Sequence, residues 1–280
     1  MSIVTFWNNG KEQTGKTLSI VALATYMAIE HNYKILVVST GYNTDTLNNC
    51  YWEQKPEKKR NFGLFGPNTN SYVGNGIQGI VQIMKSNKLS PDLITNYTKI
   101  IFKDRLEVLQ AFNGEVKDYR EATNYYCDIL TQANKYYDLV FVDLDKDVGE
   151  ENGIQILKNS NLIIASLSQR LSTINKFMDF REKNPMFKTP KVLLLIGRYD
   201  RYSKYTLKNI TRYMREKNKI STIPYNTLYF EACEEAQVPD LFLRLRKIKD
   251  EEDRNYLFMT ELKRTAENII YRLQDLKMKM

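Results

Sequence analysis

The chain has 280 residues, 42% hydrophobic and 26% charged, and its 41 Lys and Arg outnumber its 33 Asp and Glu, which gives a formal net charge of +8. It contains no apolar run of the roughly 20 residues that a membrane-spanning helix needs, no recognisable secretory signal, and too few cysteines and histidines for a disulfide framework or a multi-histidine zinc site. The composition therefore indicates a soluble, cytoplasmic protein with an acidic partner.

Short β-branched or aromatic runs alternate with longer helical patterns, which is typical of a mostly parallel, twisted α/β sheet with helices on both faces. Several runs, such as LVFVD, are continuously apolar, as expected for strands covered on both sides. About seven strands are predicted, at Ile3–Trp7, Ile35–Ser39, Thr98–Phe102 or the nearby Leu106–Ala111, Leu139–Leu144, Leu162–Leu167, Val192–Ile196 and Ile220–Ile223. Helices are predicted at Thr17–Glu30, Gly76–Asn87, Tyr119–Lys135, Glu151–Lys158, Leu171–Arg181 and Tyr205–Arg215, with a long final helix over Asp253–Met280.

The chain contains no linker rich in Pro, Gly or Ser and no internal repeat, so one domain over residues 1–280 is predicted. The least regular segment, Gly41–Asn75, is rich in Asn, Gly, Lys and aromatic residues and is expected to be a loop with at most a short helix. The charge run Gln54–Arg60 within it is interpreted as a solvated loop.

The strongest chemical signal is GKEQTGKT, Gly10–Thr17, which fits a phosphate-binding loop between an apolar strand and an apolar-periodic helix. Gly10 and Gly15 allow a tight turn whose N–H groups point into one concavity. Lys16 is expected to reach the β- and γ-phosphates of a nucleotide, and the Thr17 hydroxyl to bind Mg²⁺. The structural alternative is a glycine turn that precedes a helix by chance. The loop predicts nine nucleotide-binding residues: Gly10, Lys11, Glu12, Gln13, Thr14, Gly15, Lys16, Thr17 and Leu18.

A second Mg²⁺ ligand is predicted at YYDLVFVDLDKD, where an apolar strand ends in Asp143. If this strand lies beside the phosphate loop, its carboxylate stands at the carboxyl edge of the sheet next to Thr17. Asp145 and Asp147 follow in the next turn. Two interpretations of Asp145 stay open, as a sensor of the γ-phosphate or as part of an acidic loop, whereas the acidic loop is favoured for Asp147.

These motifs together resemble the ParA/MinD family of dimerising ATPases. The lysine at the second position of KEQTGKT is similar to that family's deviant Walker A motif, KGGxGK[ST]. Further stretches resemble the family in the same order along essentially the whole chain: YKILVVST, GIQGIVQIMKSNKL, DRLEVLQAF, YYDLVFVDLD, LLLIGRYDRYSKYTLKNI and TIPYNTLYFEACEEAQVPD.

The resemblance implies the P-loop NTPase fold, ATP and Mg²⁺ as cofactors, and a homodimer in which Lys11 reaches the partner's ATP. It implies catalytic roles for Lys11 and Lys16, to which the sequence adds Asp145, and Mg²⁺ ligands at Thr17 and Asp143. It also implies an adenine pocket near Gly197–Asp200 and Pro224–Asn226. The nucleotide contacts predicted there are Arg198, Pro224, Tyr225 and Asn226.

Three departures from the family pattern affect the predicted activity. Glu12–Gln13 replace two glycines, Ser39–Gly41 replace the DxD of the second strand with Asp45 as the nearest carboxylate, and Gly197–Arg198 replace the adenine-reading asparagine. Because binding groups are present and water-positioning groups are not, weak ATP hydrolysis is expected. The implied function is an ATP-dependent dimerising switch that positions cargo, by DNA partitioning or by localising a cellular machine. The alternative is a non-hydrolysing scaffold of a TadZ/CpaE-like secretion or pilus system.

Most of the excess positive charge lies between Arg198 and Lys219, where eight basic and two acidic residues give a net +6. In the helix predicted there, Lys204, Lys208, Arg212 and Arg215 are expected to share one face. Two interpretations stand equally, non-specific binding of a DNA phosphate backbone and an ordinary solvated helix face.

The final helix carries an apolar heptad seam from Met259 to Met280, with basic residues beside it. Packing of the seam against the sheet is the favoured interpretation. A partner protein or, less favoured, a membrane surface are the alternatives.

Overall fold

The computed structural model describes residues 1–10, 13–53, 76–86 and 90–279. The charge run Gln54–Arg60 and most of the loop predicted over Gly41–Asn75 lie outside these ranges, as do Asn87, the predicted end of the second helix, and Met280. Within the described ranges, no helix is both long and apolar enough to cross a membrane.

The strands form one sheet in the order β3-β4-β2-β5-β1-β6-β7-β8, and every neighbouring pair is parallel except β3 and β4. The strands of this sheet are β1 (Ser2–Trp7), β2 (Ile35–Ser39), β3 (Thr98–Phe102), β4 (Leu106–Leu109), β5 (Leu139–Asp143), β6 (Leu162–Leu167), β7 (Val192–Tyr199) and β8 (Ser221–Pro224). The predicted mostly parallel α/β sheet is thus confirmed. Parallel strands direct their carboxyl ends to one edge, where loops can assemble a site.

The third predicted strand is two strands, because both alternatives form and pair as an antiparallel hairpin. β4 is fully buried beside β2, whereas β3 lies at the edge of the sheet and is half exposed. The described sheet therefore has eight strands where about seven were predicted. The sequence contains two adjacent runs that are typical of strands, and both form strands because a tight turn containing Asp104, at a φ of +58°, connects them.

Eleven α-helices are described around the sheet. They are α1 (Lys16–Glu30), α2 (Thr46–Asn49), α3 (Gly76–Lys85), α4 (Val116–Ala122), α5 (Tyr126–Ala133), α6 (Glu150–Asn159), α7 (Leu171–Lys183), α8 (Leu207–Met214), α9 (Thr227–Glu234), α10 (Val238–Leu245) and α11 (Tyr256–Met278). The helix predicted over Tyr119–Lys135 is divided, since a 3₁₀ turn at Thr123–Tyr125 separates α4 from α5.

Each face of the sheet carries its own buried cluster, because successive side chains of a strand point to opposite faces. Val4, Phe6 and Phe141 pack with α1, α9, α10 and α11, whereas Val140 and Val142 pack with α3 to α8. The central strands are covered on both sides, which explains their continuously apolar sequences.

The apolar seam of α11 packs inward. Leu262, Ala266, Ile269 and Leu273 are buried in the same cluster as α1, and the Thr265 hydroxyl donates to the carbonyl of Thr222 in β8 at 2.9 Å. The favoured prediction, packing against the sheet, is thus confirmed. A partner or a membrane would have to use the opposite face of this helix.

Candidate nucleotide-binding site

The phosphate loop connects β1 to α1 through glycine conformations. Gly10 has a φ of +87° and Gly15 a φ of +74°, a region that residues with a Cβ rarely adopt. Gly15 immediately precedes α1, and its carbonyl accepts the first helical hydrogen bond from Ser19 at 2.8 Å. The loop therefore delivers the positive end of a helix dipole to the carboxyl edge of the sheet. Lys11 and Glu12 lie outside the described residues.

Three side chains of the predicted site meet where β5 ends. The Lys16 ammonium lies 2.8 Å from Asp143 Oδ1 and also donates to the carbonyl of Leu144. The Thr17 hydroxyl donates to Asp143 Oδ2 at 2.6 Å. The Lys16 and Asp143 side chains are only 10% and 8% exposed, so each charge stabilises the other away from bulk water. Asp143 therefore lies beside Lys16 and Thr17, as the sequence predicts.

The oxygen atoms of Thr17 and Asp143 fit Mg²⁺. Magnesium prefers oxygen ligands and is commonly held by one or two protein oxygens together with phosphates. Within the part of the chain that the structure describes, no group of three or more His, Cys, Asp and Glu could hold a metal ion by itself. The donor set thus suits a cation that arrives with a nucleotide better than a metal bound by protein alone.

Asp145 is tied into the end of β2 by Thr40. The backbone N–H of Asp145 donates to Thr40 Oγ1 at 2.8 Å, and this hydroxyl donates to the carbonyl of Asp143 at 3.3 Å. The Asp145 carboxylate accepts from the N–H of Asp147 at 2.9 Å and so caps a short 3₁₀ turn. Thr40 is fully buried, and its hydroxyl links the ends of β2 and β5. It is the middle residue of Ser39–Gly41, a segment that contains no carboxylate.

The loop lines a cleft of about 450 Å³. Asp145 lines it together with Lys146, which was not among the predicted site residues although it lies within the DLDKD motif. Asp45, the proposed substitute carboxylate, is exposed just before α2, and the residue of that helix that lines the cleft is Thr46. The other cleft residues come from the loop and its flanks: Asn8, Gly10, Gln13, Thr14, Gly15, Lys16, Thr17, Leu18 and Arg198.

β7 approaches the phosphate loop so closely that only glycine fits at its end. A Cβ on Gly197 would lie 2.2 Å from the carbonyl oxygen of Thr14 and 3.2 Å from Ser19 Oγ. Arg198 follows with a left-handed φ of +52°, and its side chain lies against Gly15, where a Cβ would be 3.1 Å from Arg198 Cγ. The departure Gly197–Arg198 therefore has a structural reason, and it places a guanidinium beside the loop.

The predicted base-binding segment adjoins the same loop. Pro224, Tyr225 and Asn226 line a small cavity with Gly15 and Leu18, next to the cleft described above. Tyr225 is 54% exposed.

The amide of Asn226, in contrast, forms hydrogen bonds within the protein through both of its polar atoms. Its oxygen accepts from the N–H of Tyr229 at 2.8 Å and caps α9, while its nitrogen donates to Asn255 at 2.9 Å. The Asn226 side chain thus caps α9, and its contact with a nucleotide stays a prediction.

The basic segment is exposed, but its helix is shorter than predicted. α8 begins after the capping residue Thr206, and Arg215 ends it in a left-handed conformation with a φ of +49°. Lys204 and Arg215 consequently lie outside the helix, so the prediction that all four cations share one helical face was wrong. Lys208 and Arg212 remain on α8, and all four side chains are exposed.

Neither a protein-family model nor a curated protein matches this sequence. Solved structures match over nearly the whole chain. A ParA family ATPase from Chlorobium tepidum has 14% identity, covers 95% of this chain and 98% of its own, and superimposes with a TM-score of 0.68. The septum site-determining protein MinD from Pyrococcus horikoshii, complexed with Mg-ADP, has 14% identity, coverages of 96% and 95%, and a TM-score of 0.63.

An ATP complex of an McdA variant from Cyanothece has 11% identity, coverages of 98% and 96%, and a TM-score of 0.60. At such identities the likeness concerns three-dimensional structure. The chain therefore has the fold of the ParA and MinD ATPases.

Proposed function

We propose that this chain is a cytoplasmic member of the ParA/MinD family, an ATP-dependent dimerising switch that positions cargo and hydrolyses ATP slowly. The observation that carries the proposal is the cluster of Lys16, Thr17 and Asp143 at the glycine-bounded start of α1. The shared fold supports it, since one similar structure is a complex with Mg-ADP and another a complex with ATP.

Lys16 is placed to exchange partners when a nucleotide binds. Its ammonium is held by Asp143 and by the Leu144 carbonyl, at the mouth of the loop. Bound phosphate groups, with more negative charge than one carboxylate, compete for this ammonium, and Asp143 is then released to bind Mg²⁺ together with Thr17. The magnesium ion would neutralise phosphate charge, and the loop N–H groups would orient the phosphates.

The surroundings of Thr40 support slow hydrolysis. Its hydroxyl is engaged with the backbone of Asp143 and Asp145. Ser39 and Gly41, which stand at the two aspartate positions of the DxD motif, supply no carboxylate. Asp45 is exposed and is not among the residues that line the cleft. We therefore expect binding and dimerisation to be stronger features of this protein than turnover. The similar structures reported above give no support to the TadZ/CpaE-like scaffold alternative.

MgATP affinity tests this proposal directly. Lys16→Ala removes the phosphate-binding ammonium, so we expect at least a hundredfold weaker binding, about 2.7 kcal/mol, by isothermal titration calorimetry. Lys247→Ala, a change at an exposed lysine, is the control and should leave the affinity unchanged. Equal affinities of the two variants would contradict the proposal.

Lys11→Ala separates dimerisation from nucleotide binding. We expect this variant to bind MgATP but to remain monomeric by light scattering, whereas the unmodified chain dimerises with MgATP. A dimer of Lys11→Ala at equal strength would remove the role assigned to Lys11.

We also propose that the basic segment binds duplex DNA without sequence preference. Lys208 and Arg212 lie on the exposed face of α8, and no described acidic side chain pairs with either. In gel-shift assays over a series of salt concentrations, Lys208→Glu with Arg212→Glu should reduce the slope of log K against log salt by about two, since each phosphate contact contributes about 0.9. Lys247→Glu with Lys249→Glu is the matched control. An unchanged slope in the first variant would show that α8 is an ordinary solvated helix.

A further inference from the structure

A second cavity, of about 610 Å³, opens at the other edge of the sheet. It lies where β7 begins, and because β1, β6 and β7 are parallel, this edge is opposite to the phosphate loop. Its walls are the end of α7, the turn Pro185–Lys188 and the loop that follows α8. Phe187, Val192 and Leu194 form an apolar floor. The volume lies within the range of sites that hold small molecules.

A partly buried ion pair holds two walls of this cavity together. Arg181 from α7 lies 2.7 Å from Glu216 of the loop after α8, and the two side chains are 19% and 10% exposed. Burial raises the pKa of Glu216, but hydrogen bonds from the Asn218 N–H and from Arg181 outweigh it and leave the pKa below its ordinary value. Glu216 is therefore an anion at neutral pH, and Arg181 neutralises it.

Three cations of the cavity have no such partner. Glu182, the other acidic residue in its walls, pairs with Lys188 at 2.7 Å. The side chains of Arg215, Lys217 and Lys219 are exposed and form no ion pair or hydrogen bond with any other described residue. The two acids and two of the five basic residues thus cancel, which leaves a concentration of three positive charges around a concave, partly apolar surface.

We propose that this cavity binds a small organic anion with two or more phosphate groups. The phosphates would contact Arg215, Lys217 and Lys219, and the remainder of the ligand would lie on the floor of Phe187, Val192 and Leu194. A concave surface with an apolar floor and a few polar groups is typical of sites for compact ligands. Lys208 and Arg212, the cations tested above for DNA binding, are not among the residues that line this cavity. The site is separate from the nucleotide cleft and does not depend on the function proposed for it.

The test uses adenosine 3′,5′-bisphosphate as a probe and the full chain with Lys16→Ala, so that the nucleotide site does not obscure the result. We expect saturable binding by calorimetry, displaced by pyrophosphate. In this background, Lys217→Ala with Lys219→Ala should weaken binding about tenfold or more, because two charge-assisted contacts are lost.

Lys247→Ala with Lys249→Ala provides a matched control, since both pairs are exposed lysines two residues apart. We expect it to leave probe affinity unchanged, and both double variants to unfold at the temperature of their parent. Failure of both probes to bind at millimolar concentration, or equal loss of affinity in the two double variants, would overturn the proposal. Failure of the nucleotide proposal would appear elsewhere, in the MgATP affinity of Lys16→Ala alone.

Discussion

The two edges of the sheet both concentrate positive charge, but they are built differently. At the carboxyl edge, one continuous segment supplies Gly15, Lys16 and Thr17, and the lysine is already paired with Asp143. At the amino edge, separate segments converge and an Arg181–Glu216 pair joins two of them, while three cations have no ion-pair partner among the described residues. The geometry of the nucleotide cleft therefore depends on backbone conformation and on the close approach of β7 to the phosphate loop. The geometry of the second cavity depends on an ion pair between two side chains.

Gly197→Ala is expected to disrupt the carboxyl edge alone, and it has the largest effect on stability that we predict. The new Cβ would lie 2.2 Å from the Thr14 carbonyl oxygen, so β7 or the phosphate loop has to move. We expect unfolding in urea to show a loss of about 3 kcal/mol, the upper range for overpacking, together with at least tenfold weaker MgATP binding.

Gly153→Ala in α6 is the matched control for this change. Its Cβ would meet Val148 Cγ1 at 3.6 Å, an ordinary contact, and alanine in a helix is favoured by about 0.5 to 1 kcal/mol over glycine. A Gly197→Ala protein with unchanged MgATP affinity would show that the close approach of β7 does not shape the loop.

Arg181→Met is expected to affect the amino edge alone. It leaves the partly buried Glu216 carboxylate without its cation, which we expect to cost about 2 kcal/mol in unfolding free energy at pH 7. Arg181→Met with Glu216→Gln removes both charges and should recover most of that loss. MgATP affinity should not change in either variant, and a loss there would mean that the two edges are not independent.

The same pair gives a predicted pH dependence. The pKa of Glu216 is lowered in the folded chain from a usual value of 4.5, so its stabilising effect is complete above that value and is lost as the pH falls through the lower folded-state pKa. Urea unfolding of the unmodified chain and of Arg181→Met should therefore differ most near neutral pH and converge in acid, once the pH is below the lowered folded-state pKa of Glu216. A difference that persists unchanged in acid would show that Arg181 acts through packing on Phe177 in place of charge.

The parts of this molecule that were predicted correctly are those with local signals. Buried strands such as LVFVD are apolar throughout because both faces are covered, and the phosphate loop is contiguous, so its residues meet by chain connectivity. Even the position of Asp143 follows from a local rule, since parallel strands end at the same edge.

The features that the sequence did not predict depend on residues far apart or on backbone angles. Glu216 and Arg181 are 35 residues apart, and no local pattern pairs them. α8 starts later and ends earlier than its periodicity indicated, because Thr206 caps it and Arg215 turns left-handed. The place of Arg198 against Gly15 likewise follows only from the tertiary approach of β7.

Asn226→Ala has the smallest expected effect on stability at the carboxyl edge. It distinguishes a helix-capping role of Asn226, which affects the unfolding free energy alone, from a role in nucleotide binding, which would also affect MgATP affinity. Both polar atoms of the Asn226 amide are engaged, with the Tyr229 N–H and with Asn255, so removal should lower the unfolding free energy by about 1 kcal/mol, the usual cost of a lost helix cap. Thr206→Ala removes the cap of α8, away from the nucleotide cleft, and should cost a similar amount. Because the amide is occupied, we expect MgATP affinity to be the same in both variants once each is fully folded. A selective loss of affinity in Asn226→Ala would mean that this amide leaves Tyr229 to bind the base, and the capping role would then belong to the nucleotide-free state alone.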